Sequence, residues 1–354
     1  MTCRFKHYLV LLGGLALFAC ATEAPRVTSV TVMTFNVENL FDNLDDPDKD
    51  DKAYLPLSAK QGAAHIAACN EIAFESFRNE CLYLDWTDAA VEQKLDVLAA
   101  TIRQVNGGQG ADIIALQEVE NASILNRLRD EKLADLGYLP AVLVEGTDLR
   151  GIDVAILSKF PLAAAPQLHP LSLPEFPDRV GDTRGVLQAD FLLPDGALLT
   201  AFSVHFPAPF HPTAMRVAAY EHLNALLRAL PADHHAFAAG DFNTTSLEDA
   251  REGLLDAYAR PHWTIAHDLG CGDCKGSYFY RGDNTWSFLD MILFAEARGA
   301  KTTARIRGDS VQIANRYERQ VSESGAPLRF DAENSTGVSD HWPLIGTIEL
   351  AVKQ

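Results

Sequence analysis

Apolar residues recur along this chain in two rhythms. Short runs at 30–35, 112–117, 139–144, 153–157, 185–193, 198–205, 235–239, 287–294 and 344–350 read as strands. Several are apolar almost throughout, so both of their faces must be covered. Pro194-Asp195-Gly196 between two of them predicts a hairpin turn. The second rhythm is helical. Val91, Leu95, Leu98, Ile102 and Val105 alternate spacings of four and three, giving one stripe on a helix that Asn106-Gly107-Gly108 terminates. A second helix is expected from about Thr213 to Leu230, with Met215, Ala219, Leu223, Leu226 and Leu230 on its buried side. Such helices laid outside apolar strands imply a layered sandwich.

A length of 354 residues would by itself allow two domains. No Pro/Gly/Ser linker, internal repeat or low-complexity tract divides the chain, and the polar residues of interest run from 36 to 341. Residues 20–354 are therefore expected to form one domain. Its main irregular insertion is 42–88, which opens with Asp45-Asp46-Pro47-Asp48-Lys49-Asp50-Asp51. These acids suggest calcium, but Pro47 breaks the loop pattern and the glycine of a calcium-binding loop is missing, so a solvated charged loop is expected.

The N-terminus changes the picture of where the protein works. Arg4 and Lys6 precede an apolar run from Tyr8 to Ala19, too short to span a bilayer and suited to a cleaved signal segment, residues 1–19. Leu17-Phe18-Ala19-Cys20 resembles a bacterial lipobox, with Phe18 bulkier than usual, which makes Cys20 a candidate lipidated N-terminus; the alternative is plain secretion after the small residues near Ala19 to Ala21. Both readings place the protein outside the cytoplasm. Membrane attachment is expected only through that anchor.

The whole chain carries 30 Lys+Arg against 48 Asp+Glu; loss of residues 1–19 leaves 28 cations and a net charge of −20. That sign argues against a broad basic face for nucleic acid, while leaving room for a phosphate substrate held locally by a bound cation and a few arginines. Cys69, Cys81, Cys271 and Cys274 remain beside Cys20. Outside the cytoplasm, with no thioredoxin-like or zinc-knuckle context, they are expected to pair as Cys69 with Cys81 and Cys271 with Cys274.

Candidate chemistry gathers where apolar runs end. Glu118 closes Ile113-Ile114-Ala115-Leu116-Gln117, so its carboxylate sits at the rim of the core, where it could hold a hard cation, or else it is an ordinary surface acid. Asp241 and Asn243 follow Ala236-Phe237-Ala238-Ala239-Gly240; they could activate water and donate to phosphate, or only form a local Asx turn. Asp290 lies inside an apolar strand, which is costly without a partner, and His341 on a neighbouring strand end would supply one, catalytic or merely structural. His205 ends another strand. Arg184 and Arg216 are candidate phosphate contacts, or solvated cations.

Together Asn36-Val37-Glu38-Asn39-Leu40-Phe41-Asp42, Leu116-Gln117-Glu118-Val119, Val154-Ala155-Ile156-Leu157-Ser158, Val204-His205-Phe206, Gly240-Asp241-Phe242-Asn243, Phe288-Leu289-Asp290 and Ser339-Asp340-His341 resemble the endonuclease/exonuclease/phosphatase superfamily in its usual order, from about residue 30 to the end. The resemblance implies an α+β fold, a four-layer αββα sandwich of two packed mixed β-sheets flanked by helices, and metal-dependent attack of water on a phosphoester. It implies Glu118 as the principal ligand of Mg²⁺ (or Mn²⁺ or Ca²⁺), with Asn36, Glu38 and Asp340 in or near its shell. It implies that Asp241 and Asn243 position nucleophile and phosphate, and that His341, oriented by Asp290, is an acid/base or phosphate donor. His205 matches a second histidine of members similar to pancreatic-type deoxyribonuclease. Asp241 and His341 both stay open as the base.

The first expectation for function is a monomeric extracytoplasmic phosphodiesterase of nuclease type, with nucleic acid bound locally. The second is a lipid or sugar-phosphate phosphodiesterase or phosphatase of the same fold. The third is a binding module that kept the sandwich without turnover. Arg281-Gly282-Asp283 reads as a turn rather than an adhesion motif.

Overall fold

The structure, a computed structural model, describes residues 27–353; the expected signal segment 1–19 and Cys20 lie outside them. In chain order the strands are β1 (Val27–Leu40), β2 (Ile113–Val119), β3 (Val142–Leu143), β4 (Asp153–Ser158), β5 (Gln167–His169), β6 (Val186–Leu192), β7 (Leu198–His205), β8 (His235–Asp241), β9 (Thr264–Ile265), β10 (Tyr278–Tyr280), β11 (Thr285–Ser287), β12 (Asp290–Ala295), β13 (Thr302–Ile313) and β14 (Leu344–Val352). The helices that position the site are α1 (Ala63–Asn70), α2 (Glu75–Tyr83), α3 (Asp88–Ile102), α4 (Ala122–Arg127) and α5 (Thr213–Ala229).

Two six-stranded sheets result, ordered β13-β14-β1-β2-β4-β3 and β5-β6-β7-β8-β12-β9. Each is mixed in the same way. β1 and β2 run parallel within the first sheet, β7 and β8 parallel within the second, and the other pairings are antiparallel. A parallel pair needs a crossover, and α3 supplies one while α5 supplies the other.

Alternation along the strands then builds three apolar layers. Met33, Phe35 and Val37 of β1 face Val91, Leu95, Leu98 and Ile102 of α3. Val30 and Val32, on the opposite face, pack with Ile113, Ala115, Ala201, Phe237, Ala239 and Ile292 between the sheets. Phe202 and Val204 of β7 pack against Met215, Ala219, Tyr220 and Leu223 of α5. Helix, sheet, sheet and helix are thus stacked by the period-2 and period-3.6 patterns of the sequence.

Both predicted helices are present, Thr87 capping α3 through its side chain to the Ala90 N–H. The Pro194-Asp195-Gly196 hairpin joins β6 to β7, and residues 281–284 form the turn of the β10–β11 hairpin. Other expectations need correction. The run 139–144 contributes only the two-residue β3, and 287–294 is broken at 288–289 between β11 and β12. The insertion 42–88 is not irregular throughout: it carries α1 and α2, tied together by Cys69–Cys81. Cys271–Cys274 is the second disulfide.

Candidate active site

The continuing alternation on the faces between the sheets brings four polar residues together. Asn36 follows Val30, Val32 and Thr34 on β1; His205 follows Leu199 and Ala201 on β7; Asp241 follows Phe237 and Ala239 on β8; Asp290 shares its face with Ile292 on β12. His205, Asp241 and Asp290 are direct register partners across three adjacent strands. Gly240 has φ +158, and a side chain there would collide with the Val204 carbonyl, so the close approach of β7 and β8 beside Asp241 requires glycine.

Glu118 arrives by a different route. Leu116 faces α3 and α4, and regular alternation would turn Glu118 the same way. The register shifts between Gln117 and Val119, Glu118 takes φ +64, and its carboxylate accepts from Asn36 Nδ2 at 3.4 Å and the Asn39 N–H at 3.1 Å. A bulge has re-aimed the side chain. The same device operates in β1, where Glu38 (φ +52) and Asn39 (φ +60) sit at a register shift between Asn36 and Leu40. With Asn243 at φ +51, four non-glycine residues of this edge hold a left-handed backbone, a clustering found where function outweighs local strain.

Asn36 Nδ2 also donates to Asp241 Oδ2 at 3.1 Å, so one amide nitrogen touches carboxylates from both sheets. Asp241 Oδ2 is 3.6 Å from His205 Nε2 and 3.9 Å from His341 Nε2, while Oδ1 accepts the Asn243 N–H at 2.8 Å. The Asx turn therefore exists, and uses one oxygen only. Asn243 Nδ2 donates to the Phe206 carbonyl at 2.9 Å. His341 Nδ1 lies 2.7 Å from Asp290 Oδ2, leaving Nε2 toward Asp241 and, at 3.9 Å, Asp340 Oδ1.

The segment bearing Asp340 and His341 is tied to β1 and α3. Ser339 Oγ donates to the Asn36 carbonyl at 2.8 Å, Lys94 Nζ donates to the Val338 carbonyl at 2.8 Å, and Glu38 Oε2 accepts the N–H groups of Phe330 and Asp340 at 3.1 and 3.0 Å. Glu38 Oε1 is ion-paired with Arg329. Both oxygens of Glu38 are thereby engaged, which makes it an organiser of this segment near the Glu118 carboxylate. Arg216 needs correction. Buried on α5, it forms a two-pronged pair with Glu248 and donates to the carbonyls of Pro207, Ala208 and His211, a structural role in place of a phosphate contact. Arg184 stays near the site, buried 3.0 Å from Asp148 Oδ2. No sequence pattern marks Arg150, whose Nη2 donates to Asn39 Oδ1 at 2.8 Å, or Tyr278, whose ring lies 4.8 Å from that of His341.

These neighbours sort the titratable groups. Burial pushes Glu118 up, but Arg150, Arg184 and His341 outweigh it and hold the carboxyl below its ordinary value. Burial raises Asp241 to about 7, with His341 opposing and Asp290 adding to the rise. Burial disfavours charge on His341, yet Asp290, Asp241 and Asp340 prevail and hold it well above its ordinary value. His205 is pushed well below by burial and by Arg184, Arg150 and His341, so it is neutral, and its Nδ1 is buried without a partner.

Hard oxygen donors suited to a divalent cation are present: the Glu118 carboxyl is held below its ordinary value, each of its oxygens accepts a single hydrogen bond, and Asp340 Oδ1 and Oδ2 accept none among the described residues. This donor set fits Mg²⁺ or Mn²⁺. His65, Cys69 and Cys81 also cluster, but both sulfurs are in a disulfide.

Comparison with known proteins identifies the family and the fold. The model of the Endonuclease/Exonuclease/phosphatase family matches residues 33–341. Among solved structures, humanized D. rerio TDP2 superposes with a TM-score of 0.54 at 14% identity, over 90% of this chain and 98% of its own. An endonuclease/exonuclease/phosphatase from Bacteroides vulgatus gives 0.54 at 17% identity, over 92% and 100%. D. rerio TDP2 complexed with single strand DNA product gives 0.50 at 16% identity, over 91% and 99%. No curated protein matches the chain. At these identities the likeness speaks to the fold alone.

Proposed function

The chain belongs to the endonuclease/exonuclease/phosphatase family, and on that premise we propose that it is a divalent-metal-dependent phosphodiesterase of nuclease type, acting outside the cytoplasm as a single domain of residues 20–354. The observation that carries the reading is the Asn36 amide, which bridges Glu118 and Asp241 from opposite sheets beside the His341–Asp290 pair. That constellation joins one ionised carboxylate, one carboxylate with a pKa near neutrality and one imidazolium around a single space.

Each group then has a task. Asp241 Oδ2, poised at about 7, accepts the proton of the attacking water. His341 Nε2, kept charged and oriented by Asp290, donates to a phosphoryl oxygen as negative charge builds there. Neutral His205 and the second amide hydrogen of Asn243 orient water and phosphate. Arg184 and Arg150 add positive field. Glu118, with Asp340 nearby, would hold a divalent ion, which would supply compensation for the negative charge on the phosphoryl oxygens. Groups fixed on strand ends supply the in-line geometry.

Nucleic acid is the first substrate to test, in keeping with His205 and with the DNA product held by a protein of the same fold. Cys20 as a lipid anchor would tether the enzyme to the cell envelope; no described helix is long and apolar enough to cross a membrane. Purified protein should be incubated with plasmid DNA, RNA, bis-p-nitrophenyl phosphate, p-nitrophenyl phosphate and phospholipid, with Mg²⁺ or Mn²⁺ and then with EDTA. Diester hydrolysis abolished by EDTA is expected. Hydrolysis of the monoester alone would make it a phosphatase. A folded protein inert with every metal would make it a binding module.

A further inference from the structure

Not all acids of the insertion are solvated, although the sequence reads them so. Asp51 is 1% exposed, and Glu120, directly after β2, is 2% exposed. Both close on the same short segment, 42–46. Glu120 Oε2 accepts the Asp42 N–H at 2.6 Å, and Asp51 Oδ2 accepts the Asp46 N–H at 2.8 Å. Each carboxyl thus spends one oxygen on that segment. The other, Glu120 Oε1 or Asp51 Oδ1, is buried with no hydrogen-bond partner among the described residues.

No side chain compensates these two acids. The lysines of the insertion are engaged elsewhere: Lys49 Nζ donates to the Asp148 carbonyl at 3.1 Å, and Lys52 Nζ lies 3.5 Å from exposed Asp50. Among the described residues neither Asp51 nor Glu120 enters an ion pair, and the nearby Asp42, Asp45 and Asp46 only add like charge. A proton on either orphaned oxygen would find no acceptor there. Buried carboxylates persist where they are paired or hold a metal. The donors here are oxygens of carboxylates and of an irregular loop, which suits a hard ion with loose geometric demands, Ca²⁺ rather than Mg²⁺. We propose that Asp51 Oδ1 and Glu120 Oε1 are two ligands of a structural calcium site, completed by carbonyls of the 42–51 segment and by water, and separate from the ion at Glu118. One ligand comes from the loop and one from the end of a strand, so neither Pro47 nor the missing glycine of a contiguous calcium loop counts against it. Position gives the ion a task. Asp42 lies two residues beyond β1 and Glu120 one beyond β2, so calcium would tie together the strand ends that carry Asn36 and Glu118.

The site stands independently of the phosphodiesterase reading. The full chain is stripped with EDTA, returned to saturating Mg²⁺ so that the Glu118 position is filled, and titrated with CaCl₂ by isothermal calorimetry and by thermal melting. One Ca²⁺ per chain is expected, with a Kd of about 10⁻⁴ to 10⁻³ M and a melting temperature that rises with Ca²⁺. Asp51→Asn combined with Glu120→Gln keeps an oxygen for each loop amide, and should abolish both the heat and the rise while melting no lower than the parent in EDTA. Glu120→Gln alone serves the same comparison if the double variant does not fold. Glu118→Gln should keep the calcium response. Absence of calcium binding by the Mg²⁺-loaded parent overturns the proposal, as does undiminished binding by the Asp51 and Glu120 variants. Loss of the response in Glu118→Gln would assign the calcium to the catalytic position and overturn it too.

Discussion

Replacing Asp290 by Asn tests the electrostatic core of the site with little change of shape. Asp290 is fully buried, and its Oδ2 is 2.7 Å from His341 Nδ1. Two unit charges at this kind of separation are worth about 4 kcal/mol at an effective dielectric near 20, roughly three pKa units. The imidazolium of His341, now held well above its ordinary value chiefly by Asp290, should lose that support and titrate at lower pH. Asp241 loses a like charge on its register neighbour, which lowers its pKa of about 7, but once His341 deprotonates it also loses the larger opposing charge, so the His341 limb is the diagnostic one. The alkaline limb of the kcat/KM profile on bis-p-nitrophenyl phosphate should therefore move to lower pH, and kcat at pH 7 should fall by about 10² to 10⁴. Histidine ring-proton NMR titration checks the His341 shift independently. A variant that loses activity with the alkaline limb unmoved would show that Asp290 only shapes the cleft. One that keeps kcat within a few-fold of the parent would remove the pair from the chemistry.

Substituting Glu118 by Gln should lower Mg²⁺-supported turnover by at least ~10² and abolish the rise in melting temperature that saturating Mg²⁺ gives the parent, read by thermal shift; a retained rise would place the ion elsewhere. Arg216→Met should destabilise by about 3 kcal/mol or more in urea, because it strands the buried Glu248, while kcat of the folded protein stays within twofold. A selective loss of phosphate affinity would restore Arg216 to the site. Glu120 is buried with Oε1 unpartnered, and burial lifts it from 4.5 to about 9 despite the Asp42 N–H donated to Oε2. A folded value above the unfolded one means that the stability it gives is complete below about 4.5 and drains away as pH climbs toward 9. Glu120→Gln does not titrate, so urea midpoints should show it gaining on the parent by a few kcal/mol between pH 5 and 9. A difference independent of pH would contradict this.

What the sequence reveals of the site follows from periodicity. Asn36, His205, Asp241 and Asp290 each continue a run of alternate apolar residues, so the same rule that builds the layer between the sheets delivers them to its edge. The pairing of Asp290 with His341 was legible for a related reason: a carboxylate inside an apolar strand needs a partner, and few were on offer. β13 was not legible, because its burial alternates with exposed Arg305 and charged neighbours at a sheet edge, where polarity carries no sign of a strand. Nor were α1 and α2, which are short and largely exposed, and are held by a disulfide rather than by an apolar stripe.

Glu118 and Glu38 mark where the reasoning from pattern stops. Both are carboxylates at the ends of apolar strands, and sequence alone treats them alike. The backbone separates them. At Glu118 a single left-handed residue turns the carboxylate from the helix layer to Asn36 and leaves its oxygens lightly bonded. At Glu38 two successive left-handed residues carry the chain past the site, and the carboxylate is consumed by Arg329, Phe330 and Asp340. A bulge has no fixed residue code when Glu and Asn rather than Gly adopt the positive φ, so its placement emerges only once the strands are paired. The division of labour is nevertheless physical: the lightly bonded acid is free to meet a cation, and the saturated one fixes the segment that carries Asp340 and His341. Freeing Glu38 by removing Arg329 would therefore loosen that segment before it created a new ligand.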